Sequence, residues 1–351
     1  MKTLLNRIIA ATFVLAAYAQ AVNTTPCGYI TVIAPAGSLA SPSYTTLSIP
    51  LYNAAAFIGS VATVDSATQV TITGAAWTAG QYAATSAPYL ARVTTGVNTG
   101  RFFLITANTT NQLTVSLVQT PSITTLVGTL TAGDMIAIVP ANTIGSIFGT
   151  TATNGALDNG IVTNSSPSLA DNLYILNAPG QGWGTYYHNG TNWKKSGAIS
   201  NQNNAVCYPD EGIVIVHTGA SPVNLKLYGT VPSTGEKTDI SGTGSTFAAV
   251  RFPVDAQLNG MGFQSIPGWV AGASADTADN VWAWSTTLNQ WEQFYFNGNL
   301  PNGNLPLGNW KKSGSLGNQN GRVLPAGSSV IVIRNATSST QTLSQTLPYT
   351  P

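Results

Sequence analysis

His188 and His217 are the only histidines in the sequence, so a zinc site or a Ser/His/Asp triad would have to include one of them. The residues around them do not supply the further ligands or the nucleophile that such sites need. An internal repeat aligns His188 with Phe296 and His217 with Arg334. Because one position accepts both His and Phe, we expect a structural role and a protein that is not an enzyme. A hydrolase with a hidden site is the remaining catalytic alternative.

Four carboxylates are the other candidates for chemistry. Asp171 and Asp279 each lie in an Ala-Asp-Asn triplet at matching positions of the repeat. Each could accept hydrogen bonds from the amides of its own turn or bind calcium. We favour the turn, because one carboxylate is few for an ion that takes about six to eight oxygen ligands. Asp210-Glu211 aligns with Gly327-Ser328 of the second repeat, which has no carboxylate there, and is also predicted to lie in a turn. No metal and no cofactor are predicted.

Aromatic residues recur on both sides of an Asn-Gly turn in each repeat unit. An aromatic face with Asn and Lys nearby can stack on a sugar ring, and this makes Tyr187, Trp193, Tyr295 and Trp310 candidate ligand-binding residues. The alternative is that alternating aromatics on strands form the core or cross-strand pairs. The wider set from which these candidates are drawn also includes Trp183, Trp282, Trp284 and Trp291.

Two further residue pairs attract attention. Lys194-Lys195 and Lys311-Lys312 each follow the Trp of a hairpin, where lysines discourage pairing of an exposed strand edge. Cys27 and Cys207 are the only thiols, so a single intramolecular disulfide is possible. Two free buried thiols and links between subunits are the alternatives, because sequence alone does not place the two Cα atoms within bonding range.

The elements that must position these residues belong to a tandem repeat. The segment 170–190 aligns without gaps on 278–298, and each is followed by Asn-Trp-Lys-Lys-Ser-Gly and then by Asn-Gln-Asn. The second copy carries an Asn- and Pro-rich insertion at 299–308. Upstream, 47–51 resembles 250–254. Asn189-Gly190 and Asn297-Gly298 predict a type I′ hairpin turn in each unit.

Between the two halves of the first unit lies a stretch dense in strand signals and turn residues, which predicts a small inserted β domain. Outside the N-terminal segment no long 3.6-residue periodicity occurs, while residues suited to strands recur throughout. The predicted fold is all-β, with two tandem β-sandwich-like repeats, the first interrupted by a β-barrel-like domain. The predicted boundaries are a signal peptide at 1–21, a first repeat at 22–58 plus 141–232, an insert at 59–140, a linker at 233–244, and a second repeat at 245–351.

The chain resembles an uncharacterised family of secreted bacterial proteins found mainly in Verrucomicrobia and relatives. The resemblance is carried by CGYITV at 27–32, by IPL at 49–51 followed by AAAF at 54–57, and by the two aromatic hairpins with their Lys pairs. It spans nearly the whole chain after the N-terminal segment. The family has no assigned activity, so the resemblance implies export and architecture only. Cys27 departs from the nonpolar residue that the family has at this position.

Composition and the N-terminus bear on location. Residues 1–21 combine the basic Lys2 and Arg7, an apolar stretch at 8–17 and small residues at the end, which is typical of a secretory signal peptide. No later apolar stretch reaches the length of a membrane span. Only 7% of the chain is charged, against about one quarter in ordinary domains, so Ser, Thr, Asn, Gln and Gly must cover the surface. Basic residues are scattered, and this excludes nucleic acid as an expected partner.

We therefore expect a secreted protein that lies outside the cell or on its surface. The first hypothesis is a structural subunit of a filament, sheath or surface layer that associates with itself through β-strand contacts, because low charge removes repulsion between copies. The extended ends, 22–35 and 343–351, could add a strand to a neighbour or could complete their own sheets. The alternative hypothesis is a monomeric module that binds polysaccharide through the aromatic hairpins.

Overall fold

The computed structural model describes residues 26–151, 160–176, 182–298, 308–315, 317–335 and 339–350. The predicted signal peptide and nearly all of the predicted insertion at 299–308 lie outside these residues. In the described part of the chain, no helix is long and apolar enough to cross a membrane.

Strands make up almost all of the regular structure, and this confirms the predicted all-β class. The only α-helix among the described residues is α1 (Ile144–Phe148), with short 3-10 helices at Pro167–Leu169, Leu258–Met261 and Phe263–Ser265. The strands are β1 (Cys27–Ala34), β2 (Ser43–Leu47), β3 (Phe57–Val64), β4 (Gln69–Ile72), β5 (Tyr89–Val93), β6 (Phe102–Asn108), β7 (Gln112–Ser116), β8 (Met135–Pro140), β9 (Asn172–Leu176), β10 (Trp183–His188), β11 (Trp193–Lys195), β12 (Ile213–His217), β13 (Val223–Thr230), β14 (Glu236–Ile240), β15 (Gly244–Ala249), β16 (Ala256–Gln257), β17 (Asn280–Ser285), β18 (Gln290–Asn297), β19 (Asn309–Lys312), β20 (Val323–Leu324), β21 (Ser329–Arg334) and β22 (Gln341–Gln345).

The first sandwich packs a five-stranded sheet, in the order β11-β10-β9-β12-β2, against the two-stranded ribbon β1-β13. Alternate residues of β1 face inward, as the strand period of two requires, and Ile30 and Val32 join Leu225 and Leu227 of β13 in the core. The opposite side of that core comes from the five-stranded sheet, including Leu173, Ile213 and Trp193.

The second sandwich repeats this plan strand for strand. Its five-stranded sheet has the order β19-β18-β17-β21-β15, and its ribbon is β14-β22. β14 occupies 236–240, inside the stretch predicted to be a linker, and pairs with β22. This corrects the linker prediction. The charges of β14 obscure its strand pattern in the sequence, but Glu236 and Asp239 are both only 1% exposed.

Strands β3 to β8 close into a barrel in the order β3-β4-β7-β6-β5-β8, and this confirms a barrel within the first repeat. The barrel strands run from Phe57 to Pro140. The chain leaves the first sandwich after β2 and returns to it through α1 and β9. The two ends of the chain do not reach out to a neighbour: β1 pairs with β13 and β22 with β14, so each completes a sheet of its own chain.

Both predicted hairpins are present, but the turn type differs from the prediction. In the first hairpin His188 pairs with Trp193, leaving a four-residue connection instead of a two-residue type I′ turn. The Asn189 side chain accepts hydrogen bonds from the amides of Thr191 and Asn192. In the second hairpin Asn297 pairs with Asn309, so the whole insertion lies in the connection.

The two sandwiches contact each other through the outer faces of their five-stranded sheets. Phe247 of the second packs with Val214 and Val216 of the first, and Tyr44 lies 5.5 Å from Trp284 between ring centroids. The main-chain contacts are reciprocal. The amide of Ser48 donates to the Gly327 carbonyl, while the amide of Gly212 donates to the Phe247 carbonyl. A loop of each sandwich thus forms a main-chain hydrogen bond with the other, at β2 in the first and at β15 in the second.

Candidate functional site

The predicted ligand-binding aromatics divide into buried and half-buried residues. Trp193 and Trp310 are both 0% exposed and pack in the cores of their sandwiches, so neither offers a face to a sugar ring. This corrects the prediction for both residues, because the inward side of each hairpin strand needs a large apolar side chain. Tyr187 and Tyr295 are half-buried on the outward side. The structure therefore leaves no four-aromatic platform.

The residues of the repeated Asn-Trp…Asn-Gln-Asn motif form hydrogen bonds along the outer edge of each hairpin. The Trp193 amide donates to Asn203 Oδ1 at 2.9 Å, and the Gln202 amide donates to the Trp193 carbonyl at 2.8 Å. The Trp310 amide likewise donates to Asn320 Oδ1 at 2.8 Å. Because β11 and β19 are the edge strands of their sheets, these loops occupy main-chain groups that another strand could otherwise pair with.

The two Lys pairs lie on the same edge strands. Lys194 Nζ donates to the Ile199 carbonyl at 2.8 Å, and Lys195 Nζ lies 5.7 Å from the centroid of the Tyr186 ring. In the second repeat Lys312 pairs with Glu292 at 2.6 Å, whereas Lys311 is 4% exposed. Their position agrees with protection of a strand edge.

The predicted disulfide is not formed. Cys27 and Cys207 both lie in the described part of the chain, and no bond joins their sulfurs. Cys27 is exposed at the start of β1, whereas Cys207 is buried in the first sandwich core, where burial raises the pKa of its thiol.

His188 packs against Trp193 with ring centroids 5.5 Å apart, and its ring accepts a hydrogen bond from the amide of Gly190. Burial lowers the pKa of this imidazole, although a contact with the Thr150 carbonyl opposes the shift. No base or nucleophile is among its contacts in the described residues. The geometry agrees with the structural role predicted from the repeat.

Asp171 and Asp279 form the same buried contact in the two sandwiches. Asp171 accepts from His217 Nδ1 at 2.5 Å and from the amides of Val162 and Thr218. These amides belong to two other segments of the chain. Asp171 therefore links those segments and does not cap its own turn as predicted. Asp279 accepts from Arg334 Nε at 2.7 Å and from the amides of Val270 and Asn335.

The contacts of His217 favour the charged form of its imidazole. Nδ1 faces the Asp171 carboxylate, and Nε2 lies 2.8 Å from the Ser221 carbonyl, so both ring nitrogens face acceptors. Burial lowers the pKa of His217, but the bonds to Asp171 and Ser221 outweigh it, and the pKa is raised. No group of three or more His, Cys, Asp or Glu side chains in the described residues could hold a metal ion.

A second charged cluster joins the barrel to the second sandwich. Glu236 of β14 lies between Arg92 of the barrel and Arg251, each at 2.6 Å. Arg101 of the barrel pairs with Asp239 at 2.8 Å. The sequence pattern does not predict this cluster. The signal available was the unusual density of charge at 236–239 in a chain with so few ions.

Asp210 and Glu211 lie at the same junction, both buried. Burial raises the pKa of Asp210 to about 6, although Arg251 opposes the shift. Burial, and then the charge of Asp210, raise the pKa of Glu211 well above its usual range. Among the described residues, the side chain bonded to Glu211 is the amide of Gln119, which carries no charge. Burial beside a neutral amide therefore favours the protonated form of the Glu211 carboxyl.

A cleft of about 230 Å³ lies between the two sandwiches along the outer edge of β1. The first sandwich contributes Thr31, Ile33 and Thr45 to its walls, and the second contributes Trp284, Arg322 and Pro325. Arg322 is paired with Glu292 at 2.5 Å, so the cleft has little net charge. Aromatic, hydroxyl and main-chain groups line this cleft at the surface.

No family model, no curated protein and no solved structure matches this chain.

Proposed function

We propose that this protein is a secreted structural subunit, which associates with copies of itself into an extracellular filament, sheath or surface layer through β-strand contacts. The proposal assigns it no catalytic activity. What supports it is the distribution of charge between the inside and the outside of the molecule.

The charged side chains are mostly inside. Thirteen of the twenty-two Lys, Arg, Asp and Glu residues in the described part of the chain are buried. Only four of those twenty-two are classed as exposed: Asp65, Lys226, Asp255 and Asp276. Soluble proteins normally show the reverse, because Lys, Glu, Arg and Asp are almost never fully buried unless they are paired.

This arrangement favours association. A net charge well away from zero keeps proteins monomeric through repulsion, and this surface carries almost none. Polar and apolar groups therefore determine how two copies meet. The ribbon β1-β13 presents Tyr29, Ile33 and Tyr228 at its surface, exposed by 67%, 53% and 65%. The edge strands of the five-stranded sheets already make hydrogen bonds, β11 and β19 to the Asn loops and the chain at β2 and β15 to the opposite sandwich.

Imaging of the mature protein and of material sheared from native cells, by negative-stain electron microscopy, tests the proposal. We expect ordered filaments or sheets. Because few ions face outward, raising the salt from about 0.05 M to about 0.5 M should leave assembly nearly unchanged, as screening acts on exposed charges. Intact mass under nonreducing conditions shows whether exposed Cys27 joins copies covalently. Dispersed single particles at every concentration would refute the proposal.

A further inference from the structure

The outer edges of β1 and β14 are equivalent in the two sandwiches. In the described part of the chain, the barrel hydrogen-bonds to the edge of β14, and no segment does so at Thr31 and Ile33 of β1. β1 and β14 hold equivalent places in the two sandwiches, and each ends on a buried residue, Ala34 and Ile240. Counting back from these ends, Thr31 corresponds to Lys237 and Ile33 to Asp239. The two edges can therefore be compared residue by residue.

The edge of β14 is filled by the barrel. The Lys237 amide donates to the Gly100 carbonyl, and Lys237 Nζ donates to the Val97 carbonyl. Asp239 accepts from the Ser122 amide at 2.8 Å and from Arg101. A connection of the barrel thus supplies main-chain and side-chain partners to a strand edge that carries charge.

The edge of β1 also directs main-chain N–H and C=O groups outward, as the edge of β14 does. Thr230 of β13 exchanges two hydrogen bonds with Tyr52 on the side away from β1, so its pair with Cys27 is a non-hydrogen-bonded one. Because the ladder alternates, Thr31 and Ile33 also direct their N–H and C=O groups outward. Neither residue has a hydrogen bond to any other described segment on that side, which borders the cleft.

The chemistry of this edge selects its partner. Thr31 and Ile33 carry no charge, and the one guanidinium of the cleft is neutralised by Glu292. The edge therefore fits an uncharged segment with an aliphatic side chain. The loop Gly197–Asn201 (GAISN) is such a segment, and its Ile199 side chain is 96% exposed. No other part of the described chain covers this isoleucine.

We propose that the cleft along β1 binds the Ile199 loop of a second copy of this chain. Main-chain hydrogen bonds to Thr31 and Ile33 provide the contact, and the cleft wall around Trp284 receives the isoleucine. The cleft and the loop are different surfaces, so the contact is head-to-tail and can continue from copy to copy without closing. This inference rests on the proposed function, since it names the contact by which the subunits join.

Two variants of the full mature chain test the contact from its two sides. Thr31→Pro removes one outward N–H at an edge position, where proline is tolerated, and Thr31→Ser is its control. Ile199→Asp places a charge on the loop, and Ile199→Val is its control. Sedimentation velocity should show that each test variant needs at least about tenfold more protein than the wild type for half assembly, and that each control assembles normally.

Mixing the two test variants gives the sharper result. One retains a working loop and the other a working cleft, so an equimolar mixture should form dimers of the two and nothing longer. Circular dichroism confirms the fold, and Ile33→Asp, at an exposed residue, replaces Thr31→Pro if the proline variant does not fold. Suppose that the wild type assembles. If either test variant then assembles as well, or if the mixture stays monomeric, this contact is overturned and the proposed function stands. A wild type that never assembles overturns both.

Discussion

The two sandwiches have the same strands in the same order, yet they differ at the ribbon strand that begins each of them. β1 has Ile30 and Val32 facing the core, whereas β14 has Glu236 and Thr238 at the corresponding positions. Asp239 is buried where β1 has the exposed Ile33. The barrel arises from the first sandwich, but its arginines pair with the second. The inserted module therefore supplies the charges that allow β14 to be buried.

The barrel contacts the two sandwiches by different chemistry. Toward the first it packs apolar side chains, including Leu90 and Val139, near Val206 and Tyr208. Toward the second it makes the ion pairs of Arg92 and Arg101. Apolar contact tolerates small displacements, whereas a buried ion pair stabilises only in good geometry. The comparison indicates that the second sandwich fixes the orientation of the barrel.

The equivalent carboxylates provide the sharpest test of this comparison. Asp279→Ala leaves the Arg334 guanidinium buried without its carboxylate, and we expect a loss of about 3–5 kcal/mol in the free energy of unfolding. Asp171→Ala should cost about 1–3 kcal/mol at pH 8, because His217 can lose its proton and become neutral. Urea denaturation at pH 8 measures both losses.

Asp276→Ala, at an exposed residue near Asp279, is the control and should change the stability by no more than about 0.5 kcal/mol. Lowering the pH to 5 should raise the cost of Asp171→Ala, since His217 then stays charged. Equal costs for the two aspartates at pH 8 would show that the difference between His217 and Arg334 has no effect on stability.

Two buried glutamates at the junction differ in their partners. Among the described residues Glu211 is bonded to the neutral amide of Gln119, whereas Glu236 lies between two arginines. The raised pKa values of Asp210 and Glu211 mean that the folded protein holds protons that the unfolded chain releases. The contribution of Asp210 is complete below about pH 4 and is lost as the pH rises through about 6, and the contribution of Glu211 has the same sign.

Glu211→Gln removes the charge and should raise the free energy of unfolding at pH 8 by about 2 kcal/mol, with little change at pH 4. Glu236→Gln should destabilise at both pH values, because it leaves two buried arginines short of a carboxylate. Thermal unfolding across this range measures both. If Glu211→Gln were destabilising at pH 8, the buried carboxyl would have a partner that compensates its charge.

The sequence predicted the repeat, the barrel and the hairpins because these depend on local pattern. A linker is predicted over β14 because a strand with Glu236, Lys237 and Asp239 lacks an apolar alternation, and because the barrel arginines that pair with it, Arg92 and Arg101, are more than a hundred residues away. The direction of Trp193 was equally hidden, since both faces of the hairpin carry aromatic residues. The alignment of Asp171 with Asp279, and of His217 with Arg334, did contain the acid-base contact. The contact becomes visible only when the two alignment columns are considered as a pair, because neither column alone indicates a partner.

The smallest expected effect concerns the pH dependence of the His217 contact. Its raised pKa means that the stabilising charge is fully present below the unfolded value, near 6.5, and is lost as the pH rises through the folded value. His217→Gln keeps a neutral donor toward Asp171 and should cost about 1 kcal/mol at pH 5.5, the difference between a charged and a neutral hydrogen bond. Its cost should shrink as the pH rises through the folded pKa of His217, because the wild-type imidazole then loses its charge.

Arg334→Gln is the matched change in the second sandwich. Arginine keeps its charge over the whole range, so this variant should lose the same stability at pH 5.5 and at pH 9. Urea denaturation of both variants at both pH values separates a titrating contact from a permanent one. A His217→Gln cost that does not change with pH would mean that the imidazole acts through packing alone, and the two sandwiches would then be equivalent at this contact in spite of their different residues.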